Sequence, residues 1–291
     1  MLPAPFQLAR PTELAEAIRL AAATEDSHFH AGGTELLMAM KLRLLRPELL
    51  VDLKRIAGLD RIAWAEDASV VIGALATHRQ VEQDVIVRRH LPALAALCAN
   101  VANVRVRSAG TLGGNLCFAE PHADPPTLLA ALGARLRLVG PDGEREVAAD
   151  AFILGEFETA REPAEIMTHI TVPVPRGPVA YRRFRHGERP AVNAAVAWTM
   201  AADGVTIERA RIVVGALGSR PQDVGLLERL LAGRRAGEAA EAVAQGLTDA
   251  VGEIEAMDDR HGGADYKRHL AGVLITRNIA EAAAQINGAT P

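Results

Sequence analysis

Cysteine is almost absent: Cys98 and Cys117 are the only two thiols in 291 residues. Two are too few for a four-thiolate iron–sulfur cluster or zinc site, and a chain of this size has no need of a disulfide framework. The nine histidines do not fill the gap. His28 with His30, and His186 beside Arg185, lie next to glycine-rich or basic stretches without paired carboxylates, so no intrinsic metal is expected. Long apolar runs are also missing, because no stretch reaches the roughly 18–20 residues that cross a bilayer. Met1-Leu2-Pro3-Ala4-Pro5 lacks the basic-then-apolar layout of a secretory signal, and the expected location is the cytoplasm. Aromatics make up only 3% of the chain, the formal net charge is −4, and no basic patch is interleaved with aromatic residues, so nucleic acid is not an expected partner. No Ser-His-Asp, Cys-His or paired-carboxylate constellation demands a role, so no catalytic side chain is assigned.

What is present is the balance of a globular protein, 49% apolar and 23% charged, in a chain long enough for two domains. Thr12 can cap a helix over Glu13–Ala23, whose Leu14, Ala17, Ile18 and Ala21 share a face. A strand at His28–Ala31, a helix over Glu35–Leu45 and a strand at Glu48–Leu53 complete a β-α-β unit. Strands near Arg61–Ala65 and Ser69–Ile72 open a second unit, followed by helices at Thr77–Asp84 and Pro92–Val101. A helix at Asp124–Leu132, an alternating strand at Ala134–Val139, a Pro141-Asp142-Gly143 turn and a strand at Glu165–Val172 close it. Pro173-Val174-Pro175-Arg176-Gly177-Pro178 cannot continue a helix or a central strand and marks the domain boundary. Beyond it, strands at Asn193–Ala202 and Val205–Leu217 flank an Asp203-Gly204 turn, and helices follow at Pro221–Leu231, Glu238–Val251 and Ala264–Ala284. The expected class is α+β, with strands before helices in the second domain.

Two glycine-rich loops carry the chemistry. Ala31-Gly32-Gly33-Thr34-Glu35-Leu36 follows a strand and opens a helix; its glycines let backbone approach an anion, and Thr34 adds a hydroxyl. Gly110-Thr111-Leu112-Gly113-Gly114-Asn115 is read as a second such loop, whose bland alternative is a turn between a helix and a strand. Asp124 can accept from a ribose or ribityl hydroxyl, or simply cap the helix that starts there. Neither loop has the G-x-G-x-x-G form of a Rossmann site. The residues alone reach a nucleotide-like ligand whose pyrophosphate lies between two subdomains.

Together, Ala31–Leu36, Thr111–Asn115 and the Glu120-Pro121-His122-Ala123-Asp124-Pro125-Pro126 follow-on resemble the paired FAD loops of the molybdopterin dehydrogenase flavoprotein family. That family includes the medium subunit of aerobic carbon monoxide dehydrogenase and the FAD domain of xanthine dehydrogenase. Lesser matches run nearly end to end: Ile72–His78, Glu165–Thr168, Asp265–Arg268 and Val273–Arg277. The resemblance implies a two-subdomain FAD fold of the vanillyl-alcohol oxidase type over residues 1–175, divided near 57/58, and a C-terminal domain over 179–291 with a small antiparallel sheet and helices. It implies that residues 31–36 wrap the FAD pyrophosphate through backbone N–H groups, and that Thr111, Leu112, Gly113, Gly114 and Asn115 cover its other side and part of the flavin. It also places Val101 and Met167 as apolar contacts to the cofactor, Asp124 on a cofactor hydroxyl, and Arg183 where the family commonly has a lysine. Arg keeps the charge but cannot deprotonate. The implied partners are a large molybdenum-binding subunit, which carries the molybdopterin cofactor, and a small subunit with two [2Fe–2S] clusters, arranged as a dimer of heterotrimers. FAD in this chain would then receive electrons and pass them to an external acceptor.

Two rivals remain on sequence grounds. One is a self-sufficient oxidase or reductase of the same superfamily; an oxidase of that type often ties FAD covalently to a histidine near the first loop, which keeps His28 and His30 in play. A nucleotide-binding assembly module is the other. The shortness of the chain favours the subunit reading.

Overall fold

The computed structural model describes residues 2–286 and 288. Strands Gln7–Ala9, Leu49–Asp52 and Ser27–His30 form a parallel three-stranded sheet in that spatial order. All four residues of the middle strand are buried, as a strand covered on both faces requires. The helix Leu14–Ala22 lays Ala17, Ile18 and Ala21 against this sheet. Its cap position is Glu13, which makes no side-chain cap bond, so the expected Thr12 cap does not form. The next helix, Leu36–Lys41, stops short of the expected Leu45. Arg43 adopts a left-handed conformation (φ 61°) while its N–H reaches the Met40 carbonyl and the Leu44 N–H reaches that of Ala39. That is a Schellman closure with arginine in the glycine position.

The second subdomain is built on a five-stranded antiparallel sheet in the order Ile62–Ala65, Ser69–Gly73, Ile166–Pro173, Arg135–Gly140, Gly143–Ala148. The central strand, Ile166–Pro173, arrives more than ninety residues after its neighbour Ser69–Gly73. Gly143–Ala148 has no apolar alternation and escapes a pattern search. It is recruited by cross-strand ion pairs, Arg137 with Glu144 and Arg135 with Glu146. Six short helices pack here: His78–Gln83, Val85–His90, Pro92–Ala99, Val104–Ala109, Leu112–Phe118 and Pro125–Ala131. Two of them are invisible to periodicity and exist because of their caps. Asp84 accepts from Ile86 and Val87 N–H, and Asn103 accepts from Arg105 and Val106 N–H.

After the proline-rich segment, strands Val179–Arg185, Pro190–Met200, Ile207–Gly215 and Gln222–Asp223 make an antiparallel sheet. Helices Gly225–Leu231, Ala239–Gly252 and Ala264–Ile286 complete this α+β domain. The strand Pro190–Met200 serves two cores at once. Val192, Ala194, Val196 and Trp198 join the C-terminal core, while Ala195 and Ala197 join the core of the second subdomain. The period of two explains why alanine and valine dominate it: both faces are covered at close range.

The same strand carries the buried polar link between the domains. Thr127 Oγ1 donates to Asn193 Oδ1 at 2.7 Å, and Asn193 Nδ2 donates to the Ala123 carbonyl at 3.0 Å. Gly215 leaves the room for it, since a Cβ there would stand 2.1 Å from Thr127 Oγ1. Asn193→Ala strands a hydroxyl and a carbonyl in a fully buried interface. The expected loss is about 2–3 kcal/mol of unfolding free energy, read as a lower urea midpoint, and an unchanged midpoint would remove Asn193 from the interface ledger.

Candidate cofactor site at the two glycine loops

The fold brings the two glycine segments into direct backbone contact. A Cβ on Gly32 would lie 2.1 Å from the Ala109 carbonyl oxygen and 2.8 Å from Gly110 Cα. A Cβ on Gly110 would lie 3.2 Å from Thr34 Oγ1, and one on Gly114 would lie 3.8 Å from Ala31 Cβ. Only glycine permits this approach at position 32. Gly33 supplies the left-handed turn (φ 71°) that sends the chain into the helix Leu36–Lys41. The N–H groups of Gly32, Gly33, Thr34 and Glu35 have no acceptor among the described residues. They form a run of free donors at a helix start, the arrangement that receives an anion.

The second segment differs from its expected form. Leu112–Phe118 is a helix and follows the helix Val104–Ala109, so Thr111–Asn115 is a helix start between two helices, not a loop between helix and strand. Its N–H groups are already engaged. Leu112 and Gly113 donate to the carbonyls of Ala76 and Ala74, Gly114 donates to Thr111 Oγ1 at 3.0 Å, and Asn115 donates to the Thr111 carbonyl. Gly113 is pressed against Ala74, where a Cβ would stand 2.6 Å from the alanine methyl. What this side offers is a close-fitting wall and one polar atom: Asn115 Oδ1 is buried and has no hydrogen-bond partner.

The remaining residues singled out from the sequence gather elsewhere. Asp124 is only 5% exposed; one carboxylate oxygen accepts from the Tyr181 hydroxyl and the other from Arg183 Nη1. Arg183 Nη2 donates to the Asn100 carbonyl, and Arg107 Nη1 donates to the neighbouring Val101 carbonyl at 3.1 Å. Burial pushes the Asp124 carboxyl above the usual range, and Arg183 and Tyr181 offset only part of that. Val101, Asp124 and Arg183 thus share one corner between the domains. It opens onto a cavity of about 720 Å³ lined by Leu94, Leu97, Asn100, Val179, Tyr181 and Arg183. Met167 joins neither group by an exposed surface; its side chain is buried in the core of the second subdomain. Glu120 is ion-paired with Arg189, His122 Nε2 lies 3.1 Å from Asp259 Oδ2, and Arg107 pairs with Glu82.

Arg189 has no motif around it, yet it connects the segments. Its Nη2 donates to both oxygens of Glu35 at 2.9 Å, and its Nη1 donates to Glu120 Oε2 at 2.5 Å. Tyr181 and Asn193 also act across the domain boundary, at separations no local pattern reveals. Among the described residues, no group of three or more His, Cys, Asp or Glu side chains is placed to hold a metal, and no helix is long and apolar enough to cross a membrane.

Comparison with known proteins shows which family the chain belongs to. The model of the FAD binding domain in molybdopterin dehydrogenase matches residues 4–175, and that of the CO dehydrogenase flavoprotein C-terminal domain matches residues 179–282. The chain belongs to the molybdopterin dehydrogenase flavoprotein family. It is 34% identical to the carbon monoxide dehydrogenase medium chain of Hydrogenophaga pseudoflava, over 96% of this chain and 97% of that one. It is 33% identical to the nicotine 6-hydroxylase medium subunit of Paenarthrobacter nicotinovorans, over 98% and 99%. The crystal structure of the Hydrogenophaga carbon monoxide dehydrogenase that lacks the Mo-pyranopterin moiety superposes with a TM-score of 0.91 at 33% identity, covering 98% of this chain and 99% of that one.

FAD is the cofactor of this domain family, and the residues present fit it. Four unpaired N–H groups suit a pyrophosphate, and the orphaned Asn115 Oδ1 needs a donor that none of the described residues supplies. Gly32→Ala therefore has to part the two segments. We expect a chain that folds, by far-UV circular dichroism, but is purified with little flavin absorbance; normal flavin content would show the loops can shift without loss.

His78 lies directly behind this contact. Its N–H donates to the Gly110 carbonyl at 3.0 Å, and its ring is only 2% exposed. Burial, with Arg107 adding to it, lowers its pKa from 6.5 to about 4. The sign follows from linkage: the neutral ring stabilises the fold fully above pH 6.5, and that contribution is lost as pH falls toward 4. The loss amounts to about 3 kcal/mol. Urea midpoints measured across this window should fall steeply for the wild type and more shallowly for His78→Gln; equal slopes would exclude His78 as the titrating group.

Proposed function

We propose that this chain is the electron-transfer flavoprotein subunit of a molybdenum hydroxylase complex. The observation that carries the reading is the backbone contact of two glycine segments with the donors of only one left free, in a chain that matches medium subunits along its whole length. In this reading a large subunit holds the molybdopterin cofactor and turns over the substrate, and a small subunit carries two [2Fe–2S] clusters. The complex is a dimer of such heterotrimers in the cytoplasm. Bound FAD supplies the redox chemistry, receiving electrons from the clusters and yielding them to an external acceptor.

The chain's own residues bind and orient. Gly32, Gly33, Thr34 and Glu35 hold the pyrophosphate through main-chain N–H groups, with Ala31 and Leu36 fixing the ends of the loop. Thr111, Leu112, Gly113 and Gly114 form the opposing wall, and Asn115 accepts from the cofactor. Val101 adds apolar surface, while Met167, buried in the core of the second subdomain, supports the site from behind. Asp124 is held in place by Tyr181 and Arg183, so Arg183 acts on the cofactor through Asp124 and through its positive charge. We divide the chain at 57/58 and 175/179 on the basis of the three larger sheets, with residues 1–175 as the FAD domain and 179–291 as the C-terminal domain.

The relatives are named for carbon monoxide and for nicotine, substrates with nothing in common. This supports a subunit that relays electrons while the substrate is selected on another polypeptide. Affinity purification of the full chain from its own cells should bring down a molybdenum-binding protein and a [2Fe–2S] protein in equal amounts. A yellow protein that runs alone under mild conditions would refute the reading.

A further inference from the structure

Arg189 stands in the turn between strands Val179–Arg185 and Pro190–Met200, and so belongs to the C-terminal domain. Its two acidic partners belong to the FAD domain and lie 154 and 69 positions away. Glu35 is part of the first glycine loop, and Glu120 follows the helix that begins at the second. Both arms of the guanidinium are used: one nitrogen bridges the two oxygens of Glu35, the other reaches Glu120. The three groups carry one positive and two negative charges. Burial raises the Glu120 carboxyl above its usual range; Glu35 adds to the rise and Arg189 opposes it.

Such a cluster adds little to stability. The side chains of Arg189 and Glu35 are each about one-third exposed, and ion pairs in that setting contribute roughly 0–1 kcal/mol. Its effect on a ligand is different. The four free donors of residues 32–35 are there for an anion, yet Glu35 brings a carboxylate into the same loop, with a second carboxylate nearby. Unless those charges are neutralised and turned toward another partner, they repel the group that the loop binds.

Resting on the FAD reading above, we propose that Arg189 is a positioning residue for the cofactor: it neutralises Glu35 and Glu120 and holds both carboxylates away from the pyrophosphate. The C-terminal domain thereby contributes to FAD binding without touching FAD. Removing the guanidinium leaves two adjacent carboxylates facing the loop, while removing the carboxylates leaves nothing for Arg189 to correct.

The test is FAD titration of the full-length chain stripped of flavin, followed by flavin fluorescence, with thermal melting of each apoprotein in parallel. Arg189→Gln should weaken FAD binding about 10-fold or more, the scale on which losing one partner of a partly buried charge cluster is felt. Adding Glu35→Gln to Arg189→Gln should recover most of that loss, which a packing role would not produce. The deficit of Arg189→Gln should also narrow as salt rises from roughly 0.05 M to 0.5 M, because the repulsion is screened. If Arg189→Gln does not fold, Glu120→Gln in the wild-type background decides: the inference expects affinity at or above wild type, and a 10-fold loss overturns it. Wild-type uptake of FAD with an unaltered Arg189→Gln, or a double variant no better than Arg189→Gln, overturns this inference alone. A wild-type chain that takes up no FAD overturns the function reading as well.

Discussion

The close approach of Gly32 to the Ala109–Gly110 peptide is the constraint from which the rest of the site follows. With 2.1 Å between a would-be Cβ and a carbonyl oxygen, the two glycine segments meet through backbone, beside an apolar core that Leu49, Val51 and Leu53 share with Leu75 and Ile166. With no side chain between them at Gly32, the spacing of the two segments is set by main-chain contact and not by the rotamers of long side chains. The donors of residues 32–35 are thereby held against a wall at set spacing. The parallel sheet of the first subdomain aims the first loop, and the helix starts of the second supply the wall. A flexible joint at this place would have to be ordered by the ligand at each binding event, and the glycines remove that cost.

The division of labour between the segments is asymmetric, and the asymmetry has a local cause. In the first segment Gly33 turns left-handed, and the N–H groups of residues 32–35 find no acceptor among the described residues. In the second, Thr111 caps its own helix and the carbonyls of Ala74 and Ala76 take the next donors. Two segments of similar composition therefore do opposite things, one presenting donors and the other consuming its own.

That difference also marks how far the sequence could be read. Long elements with a clear period, such as Leu14–Ala22 and Ala264–Ile286, are legible, and so are the glycine loops and the proline-dense boundary. The helices Val85–His90 and Val104–Ala109 are not, because β-branched residues argue against them and a single Asp or Asn cap decides. The strand Gly143–Ala148 is decided by charges on its neighbour. Within the site, the residues of the two loops could be listed from motif alone. The engagement of Asp124 with Tyr181 and Arg183 could not be, because it depends on groups 57 and 59 positions away that only the fold brings together. Arg189 is the extreme case. A lone arginine in a polar turn has no signature, and its meaning comes entirely from Glu35 and Glu120.

The C-terminal domain is then more than a support. Its strand Pro190–Met200 runs from the turn that carries Arg189, through Asn193 in the domain interface, to Trp198 in its own core. Val179–Arg185, paired alongside it, brings Tyr181 and Arg183 to Asp124. Four polar residues that contact the FAD domain thus come from two neighbouring strands and the turn that joins them. Because the strand Pro190–Met200 is buried on both faces, moving one contact means moving a shared core. A domain fixed in this way can hold the charges around the loops in one arrangement regardless of which substrate is oxidised elsewhere, which is what a relay common to complexes of unlike substrates needs.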